Sequence, residues 1–296
     1  MKKPVHHQRF GAHMSVAGGL EKAFHAGRAV GCDCIQIFVK NQRQWTAPPL
    51  RDEQVRAFRS AGRETGLRPV IAHASYLLNL ASPDRANRDK SIAALADELA
   101  RCEALGVSGL VVHPGAHMQA GVAAGIRHIC RSLDRVHAQT RGFSCPILLE
   151  TTAGQGSAIG YEIEHLGRIL GGVKQPDRLR VCLDTCHLFA AGYDLRTPAG
   201  YERMVRDLVT HVGIERVRCI HTNDSKSECG SRVDRHEHIT KGCLGKAAFS
   251  HLVNDARLAG VPRILETPKG KDGRGADLDK VNLGRLRRLI RLEEPA

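Results

Sequence analysis

Eight short runs of apolar and β-branched residues recur along the chain, separated by segments with helical spacing. They are F-G-A-H-M-S near position 10, C-I-Q-I-F-V near 34, R-P-V-I-A-H near 68, G-L-V-V-H-P near 109, C-P-I-L-L-E near 145, V-C-L-D near 181, R-C-I-H near 218 and P-R-I-L-E near 262. Between them, stretches such as Ser91 to Leu105 place apolar residues at helical intervals and stop at a glycine, Gly106. Strands that alternate with helices pair in parallel, because each crossover returns the chain to the same end of the sheet. Eight such units in 296 residues are what a closed α/β barrel, the (β/α)8 TIM barrel, requires; an open doubly wound sheet is the alternative. No linker, low-complexity tract or shift in composition divides the chain, so residues 1–296 are read as one domain.

The runs end in side chains of one kind. The third ends at His73, the fourth at His113, the fifth at Glu150, the sixth at Asp184 with His187 just beyond, the seventh at His221 and the eighth at Glu266. In a barrel these ends open on one C-terminal rim, where catalytic groups gather, so residues distant in sequence converge. The long segment 222–245 adds D-R-H, whose Asp234 and His236 can reach one ion from an extended stretch.

Taken singly, a histidine at a strand end is more often a hydrogen-bonding residue than a metal ligand. Nine imidazoles and carboxylates together suit zinc, manganese or iron, and they suffice for two or three ions. Clustered ions suit in-line displacement at phosphorus, where both attacking and leaving oxygens need a clamp. Lowering the pKa of water from about 15.7 to about 7 is worth ~12 kcal/mol of hydroxide stabilisation, against about 3 to 5 kcal/mol from a general base alone.

A formal net charge of +13 and a sequence pI near 9.5 favour a polyanionic partner over an acidic protein or a neutral sugar. Ten cysteines include no C-x-x-C pair, and Cys32, Cys34, Cys145, Cys182 and Cys219 lie in or beside apolar runs, so reduced, buried thiols are expected. The start, M-K-K-P-V-H-H-Q-R-F, lacks the apolar stretch of a signal peptide, and no run approaches the ~18 apolar residues of a membrane span. A cytoplasmic protein with no membrane contact is expected.

Weaker signals remain. A-G-G-L (17–20) and T-A-G-Q-G-S (152–157) are neither P-loops nor dinucleotide fingerprints, so no nucleotide cofactor is expected. N-Q-R-Q-W sets Arg43, Gln44 and Trp45 on a rim loop, and H-A-S-Y-L-L-N sets Tyr76 and Leu77 beyond His73. Surface packing and a role as wedges in a DNA duplex both stay open for them. The C-terminal R-L-R-R-L-I-R-L-E-E (285–294) reads as an amphipathic helix closing the barrel.

In order from about residue 10 to 268, the blocks G-A-H-M-S-x-A-G-G-L, K-N-Q-R-Q-W, A-H-x-S-Y-L-x-N-L, H-P-G, L-E-T-T-A-G-Q-G-S, C-L-D-T-C-H-x-F-A-A-G-Y-D, H-T-N-D-S-K, G-S-R-V-D-R-H and I-L-E-T-P closely resemble endonuclease IV, the zinc-dependent apurinic/apyrimidinic (AP) endonuclease family 2. The resemblance implies a TIM barrel with its metal site at the C-terminal rim and three zinc ions, manganese or iron being admissible at one position. One ion would be held by His73, His113 and Glu150, a second by Glu150, Asp184, His221 and Glu266, and a third by His187, Asp234 and His236. It implies hydrolysis of the phosphodiester 5′ to an abasic site in double-stranded DNA, with Glu150 and Glu266 as catalytic residues, and trimming of blocked 3′ ends. Arg43, Gln44, Tyr76 and Leu77 match the DNA-contacting stretches, and a monomer is expected.

Two departures touch the loops: Thr151 replaces an amide, and Thr240 stands where a glycine is usual. Separately, His238, two beyond His236, offers a further imidazole for metal, an exposed histidine being the simpler reading. Two other readings remain beside the nuclease: a metal-dependent sugar isomerase or epimerase barrel, and a DNA-binding protein without catalysis.

Overall fold

A computed structural model describes residues 8–291. The barrel strands are β1 (Phe10–His13), β2 (Cys34–Phe38), β3 (Val70–His73), β4 (Leu110–Val112), β5 (Ile147–Glu150), β6 (Leu179–Asp184), β7 (Val217–His221) and β10 (Arg263–Leu265). All pair in parallel, and β1 bonds to both β2 and β10, which closes the barrel and rules out an open sheet. Each strand falls on one of the eight apolar runs. His113 and Glu266 lie one residue past their strands rather than inside them. In the long segment after β7, which the sequence presents only as loop, β8 (Asp224–Ser225) and β9 (His236–Glu237) form an antiparallel ribbon.

The crossovers carry α1 (Lys22–Val30), α2 (Asp52–Thr65), α3 (Arg85–Leu105), α4 (Val122–Gln139), α5 (Ile163–Gly172), α6 (Thr185–Ala191), α7 (Pro198–His211) and α8 (Gly245–Val253), with α9 (Leu278–Arg287) after β10. Helix α3 starts earlier than its apolar spacing suggests, because the Asp84 carboxylate accepts from Asn87 N and supports a polar first turn. It ends where expected, with Gly106 at φ 76° in the left-handed region. The C-terminal helix is displaced from the expected 285–294. Asp277 accepts from Asp279 N and starts α9 early, the helix ends at Arg287, and Arg291 N instead donates to Asn254 Oδ1 at 2.8 Å. Residues 292–294 of that stretch lie outside the described residues. No described helix is long and apolar enough to cross a membrane.

A large apolar core lies between the strands and the helices. A second cluster fills the barrel itself: Cys34, Ile71, Val111, Leu148, Cys182, Cys219 and Ile264, none more than 1% exposed. Gly11 completes that layer without a side chain, since a Cβ there would sit 1.9 Å from Cys34 O. The strand repeat of two then puts the next inward positions at His13, Gln36, His73, His113, Glu150, Asp184, His221 and Glu266. All ten cysteines are free, eight of them buried, as the apolar placement predicts.

Candidate metal centre

Glu150 is the hub of the upper layer. Fully buried, it has four histidine nitrogens within 3.4 Å: His221 Nδ1 at 2.8 Å, His113 Nε2 at 3.1 Å, His73 Nε2 at 3.2 Å and His187 Nδ1 at 3.4 Å. Burial opposes its charge, but His221 and His113 outweigh that and hold the carboxyl well below the usual carboxylate range. Glu266 is held down in the same way, against burial, by His221 and His13. The histidines answer in the opposite sense. Burial lowers their pKa, yet Asp184 and Asp234 carry His187 well above its ordinary value, and Glu266 and Glu150 do the same for His221.

Three of the rings are fixed by a hydrogen bond from one nitrogen, which aims the other. His73 Nδ1 donates to Ala74 O at 2.7 Å, which turns Nε2 towards Glu150. His187 Nδ1 donates to Thr151 O at 2.8 Å, turning Nε2 towards Asp234 Oδ2, 3.1 Å away. His221 uses the other tautomer: Nε2 donates to Gln36 Oε1 at 2.8 Å and leaves Nδ1 facing Glu150 and Glu266. A ligand imidazole is characteristically fixed by a hydrogen bond from its far nitrogen in this manner.

The nine residues read from the sequence fall into three groups whose donor atoms lie within 4.8 Å of one another: His73, His113 and Glu150; Glu150, Asp184, His221 and Glu266; and His187, Asp234 and His236. In the third, His187 Nε2 and His236 Nε2 are buried without a hydrogen-bond partner, although Asp234 oxygens lie 3.1 and 3.3 Å from them. Two buried nitrogens that face one carboxylate at ion-pair distance without a well-formed hydrogen bond to it fit a shared cation. Asp234 itself is held down to about 2, burial being outweighed by His187 and His236. Divalent ions would replace the protons that the carboxylates draw onto these imidazoles. Cys186 also lies near Asp184 and His236, but burial pushes its thiol up to about 12 and disfavours it as a donor.

Several residues that hold the centre carry no metal-ligand signal of their own in the sequence, although His13, Gln155, Asn223 and Asp224 lie in blocks that carry the resemblance. Gln36 Nε2 donates to Glu266 Oε1 at 2.6 Å while its carbonyl orients His221, and His13 Nδ1 stands 3.6 Å from the same Glu266 oxygen. Asn223 donates to Asp184 Oδ2 at 2.7 Å and accepts from Glu266 N at 2.7 Å. Gln155, in the T-A-G-Q-G-S loop, accepts from Asp234 N at 3.0 Å. Asp224 accepts from Ser225 N and Leu244 N and so ties the two ends of the long loop together.

Of the departures, Thr151 keeps a structural role, its hydroxyl accepting from Asp184 N at 2.9 Å. Thr240 sits at φ 63°, a left-handed conformation unfavourable for a β-branched residue. His238 accepts from Asn282 and belongs to none of the three groups.

The two rim loops are exposed and tied to one another. Arg43, Gln44 and Tyr76 are exposed, Tyr76 by 59%, and the Tyr76 ring lies 5.2 Å from that of His73. Leu77 is half-buried, and Trp45 packs partly on the core, so packing is at least part of its role. A cavity of about 260 Å³ beside His73 and His113 is lined by Tyr76, Leu77, Asn79 and Thr152.

Ser75 Oγ donates to Gln42 O at 2.6 Å and joins the loops directly. Beneath them Lys40 Nζ, buried, donates to Trp45 O at 2.9 Å and lies 3.4 Å from buried Glu98 Oε1. Glu98 accepts from Ser75 N at 3.2 Å, and Arg101 donates to Ala47 O and Pro48 O. Burial, only partly offset by Lys40, pushes Glu98 up to about 7.

Comparison with known proteins agrees with this geometry. The profile of the xylose isomerase-like TIM barrel family matches residues 24–288. "Probable endonuclease 4" of Chloroflexus aurantiacus is 52% identical over 282 residues, covering 95% of this chain and 98% of that protein. Its namesake in Geobacter sulfurreducens is 48% identical over 281 residues, covering 95% and 94%. The crystal structure of endonuclease IV from Thermus thermophilus superposes with a TM-score of 0.83 at 35% identity, over 95% of this chain and 98% of that one. A D-tagatose 3-epimerase-like protein shares the fold alone, at a TM-score of 0.70 and 17% identity. With a barrel closed in the same way and relatives at this identity along almost its whole length, the chain belongs to the endonuclease IV family.

Proposed function

We propose that this protein is a metal-dependent AP endonuclease of DNA repair that hydrolyses the phosphodiester immediately 5′ to an abasic site, leaving a 3′-hydroxyl and a 5′-deoxyribose phosphate. One observation carries the reading: nine imidazoles and carboxylates converge in three donor groups, two of which share Glu150. A sugar epimerase with one or two ions would leave His187, Asp234 and His236 without a role. Their unpartnered nitrogens favour the nuclease.

The donor sets suit three zinc ions, with manganese or iron admissible at one position. When bound, such ions lower the pKa of an attacking water towards about 7 and neutralise charge on the departing oxygen. His73, His113 and Glu150 would hold one ion, Glu150 with Asp184, His221 and Glu266 a second, and His187, Asp234 and His236 a third. Glu150, shared by two groups, and Glu266, fixed by Gln36, orient the attacking water. His221 keeps both carboxylates charged.

Arg43, Gln44, Tyr76 and Leu77 enter the minor groove of the duplex, bend it and keep the abasic nucleotide extruded. Blocked 3′ ends present the same phosphodiester chemistry and are trimmed at the same centre. The chain acts as a single-domain monomer in the cytoplasm.

The test is incision of a duplex bearing one abasic site, after exhaustive chelation and again after zinc is restored. Loss and recovery of a cut on the 5′ side support the reading. Full activity in the stripped protein contradicts it.

A further inference from the structure

Outside the rim, one basic strip runs along the wall formed by α3, α4 and α5. Arg127, Arg131 and Arg135 recur every fourth residue along α4 and are all exposed. With Arg168 of α5, the first two line one shallow depression; with Arg85 and Arg88 of α3, the last two line its neighbour. Arg131 belongs to both, so the six arginines form one strip, and no carboxylate lines either depression. Of the acids on these helices, Asp89 pairs with Arg135 at 2.5 Å and Arg85 at 3.7 Å, Asp134 accepts from Lys174 N at 2.8 Å, and Glu164 stands exposed one turn before Arg168. Arg88 donates to Ser82 O and Pro83 O. The side chains of Arg127, Arg131 and Arg168 make no hydrogen bond or ion pair among the described residues.

We propose that this strip is a second, sequence-independent contact for the phosphate backbone of double-stranded DNA. Like charges four residues apart on a helix repel, so the stripe destabilises the free protein and is relieved by a polyanion. Guanidinium forks match phosphate oxygens. No Phe, Tyr or Trp lines the strip to stack the bases of a single strand, and no exposed large apolar side chain lies on α4 or α5 to enter a membrane.

The strip adjoins the loop that carries Tyr76. His128 Nδ1 lies 3.3 Å from Ala81 O, and Ser132 Oγ donates to Leu80 O at 3.1 Å. Duplex held at the rim therefore has a basic wall beside it. The choice of DNA over another stiff polyanion rests on the function proposed above.

The test is equilibrium binding of a long, undamaged duplex between about 50 and 200 mM salt. It compares the wild type with a triple variant, Arg127→Gln, Arg131→Gln, Arg168→Gln, and with the corresponding triple lysine variant. The glutamine protein is expected to show a log–log salt slope shallower by about 0.9 for each phosphate no longer neutralised, up to about 2.7. The lysine protein is expected to keep the wild-type slope. An unchanged slope in the glutamine protein overturns the proposal, as does an effect confined to single-stranded RNA or anionic vesicles. Incision of abasic duplex by the wild type, measured separately, reports on the rim alone, so failure there is distinguishable from failure of the strip.

Discussion

The lower layer of the barrel interior and the layer two residues further along the same strands share backbone and spacing, and at four of the strands near-complete burial, yet differ in chemistry. Ile71, Leu148, Cys182 and Cys219 below are followed by His73, Glu150, Asp184 and His221 above. The lower layer gains from removing apolar surface from water, and its only polar side-chain groups are the thiols of Cys34, Cys182 and Cys219. The upper layer takes several ionisable groups out of water at a cost of several kcal/mol per ion, which their mutual pairing only partly returns. Burial on its own therefore does not set what a barrel layer does. What distinguishes the rim is its polar partners: Gln36 bonds both His221 and Glu266, Asn223 bonds Asp184, and the Thr151 backbone carbonyl fixes His187.

The sharpest way to break this comparison is to exchange neighbours in the two layers. Glu150→Gln is expected to lower incision by more than ~100-fold with the fold intact, since loss of even an outer partner of a metal ligand typically costs ~10- to 100-fold. Leu148→Ala, two residues earlier, should cost about 2 to 5 kcal/mol of stability and leave turnover at low temperature close to wild type. Incision rates and denaturant melts on both variants decide it. A Leu148→Ala protein of full stability without activity would erase the distinction.

Gln36→Leu addresses orientation rather than ligation. It frees the far nitrogen of His221, and metal affinity or incision should fall by about 10- to 100-fold, read by chelator competition. Wild-type affinity would mean that the hydrogen bond does nothing for the ring.

The metal-stripped protein gives a signature in pH. His187 and His221 have raised folded values, so the stability they contribute is present below 6.5 and is lost as pH rises through those values. Asp234, depressed to about 2, contributes stability above 3.8 that is lost only as pH falls towards 2. Stripped protein should therefore melt at lower temperature on the alkaline side. Metal-loaded protein, whose imidazoles bind neutral, should not follow it. Parallel melting curves with the same pH profile would contradict the pairing described.

The smallest effect is expected beneath the rim loops. Glu98→Gln keeps an acceptor for Ser75 N but removes the charge beside Lys40, so KM for abasic duplex should rise several-fold with kcat nearly unchanged. A fall in kcat at constant KM would place Glu98 in the chemistry instead of in loop positioning.

The barrel is legible in the sequence because each strand is short, apolar and bounded, and the rim because a strand that stops at Glu150 or Asp184 is unusual. His13 and Gln36 are not, although they occupy the same inward register. The first run carries a glycine at its floor position, and a lone glutamine suggests no chemistry until His221 is seen beside it. The β8–β9 ribbon has two residues per strand, too few to leave a periodic signal. Helix α9 lies earlier than its sequence suggests because the basic run 285–291 is more conspicuous than the Asp277 cap that starts the helix. The anchor of Lys40, Glu98 and Arg101 joins elements far apart in sequence, and no local pattern records it.

The most direct test of the central claim is elemental analysis of the purified protein, made on the sample assayed for incision of a duplex with one abasic site. About three divalent ions per chain, zinc predominating, together with a cut on the 5′ side of the lesion, are the expected result. One ion or none, with no cut after zinc or manganese is restored, would contradict it and mean that the rim converges for other chemistry.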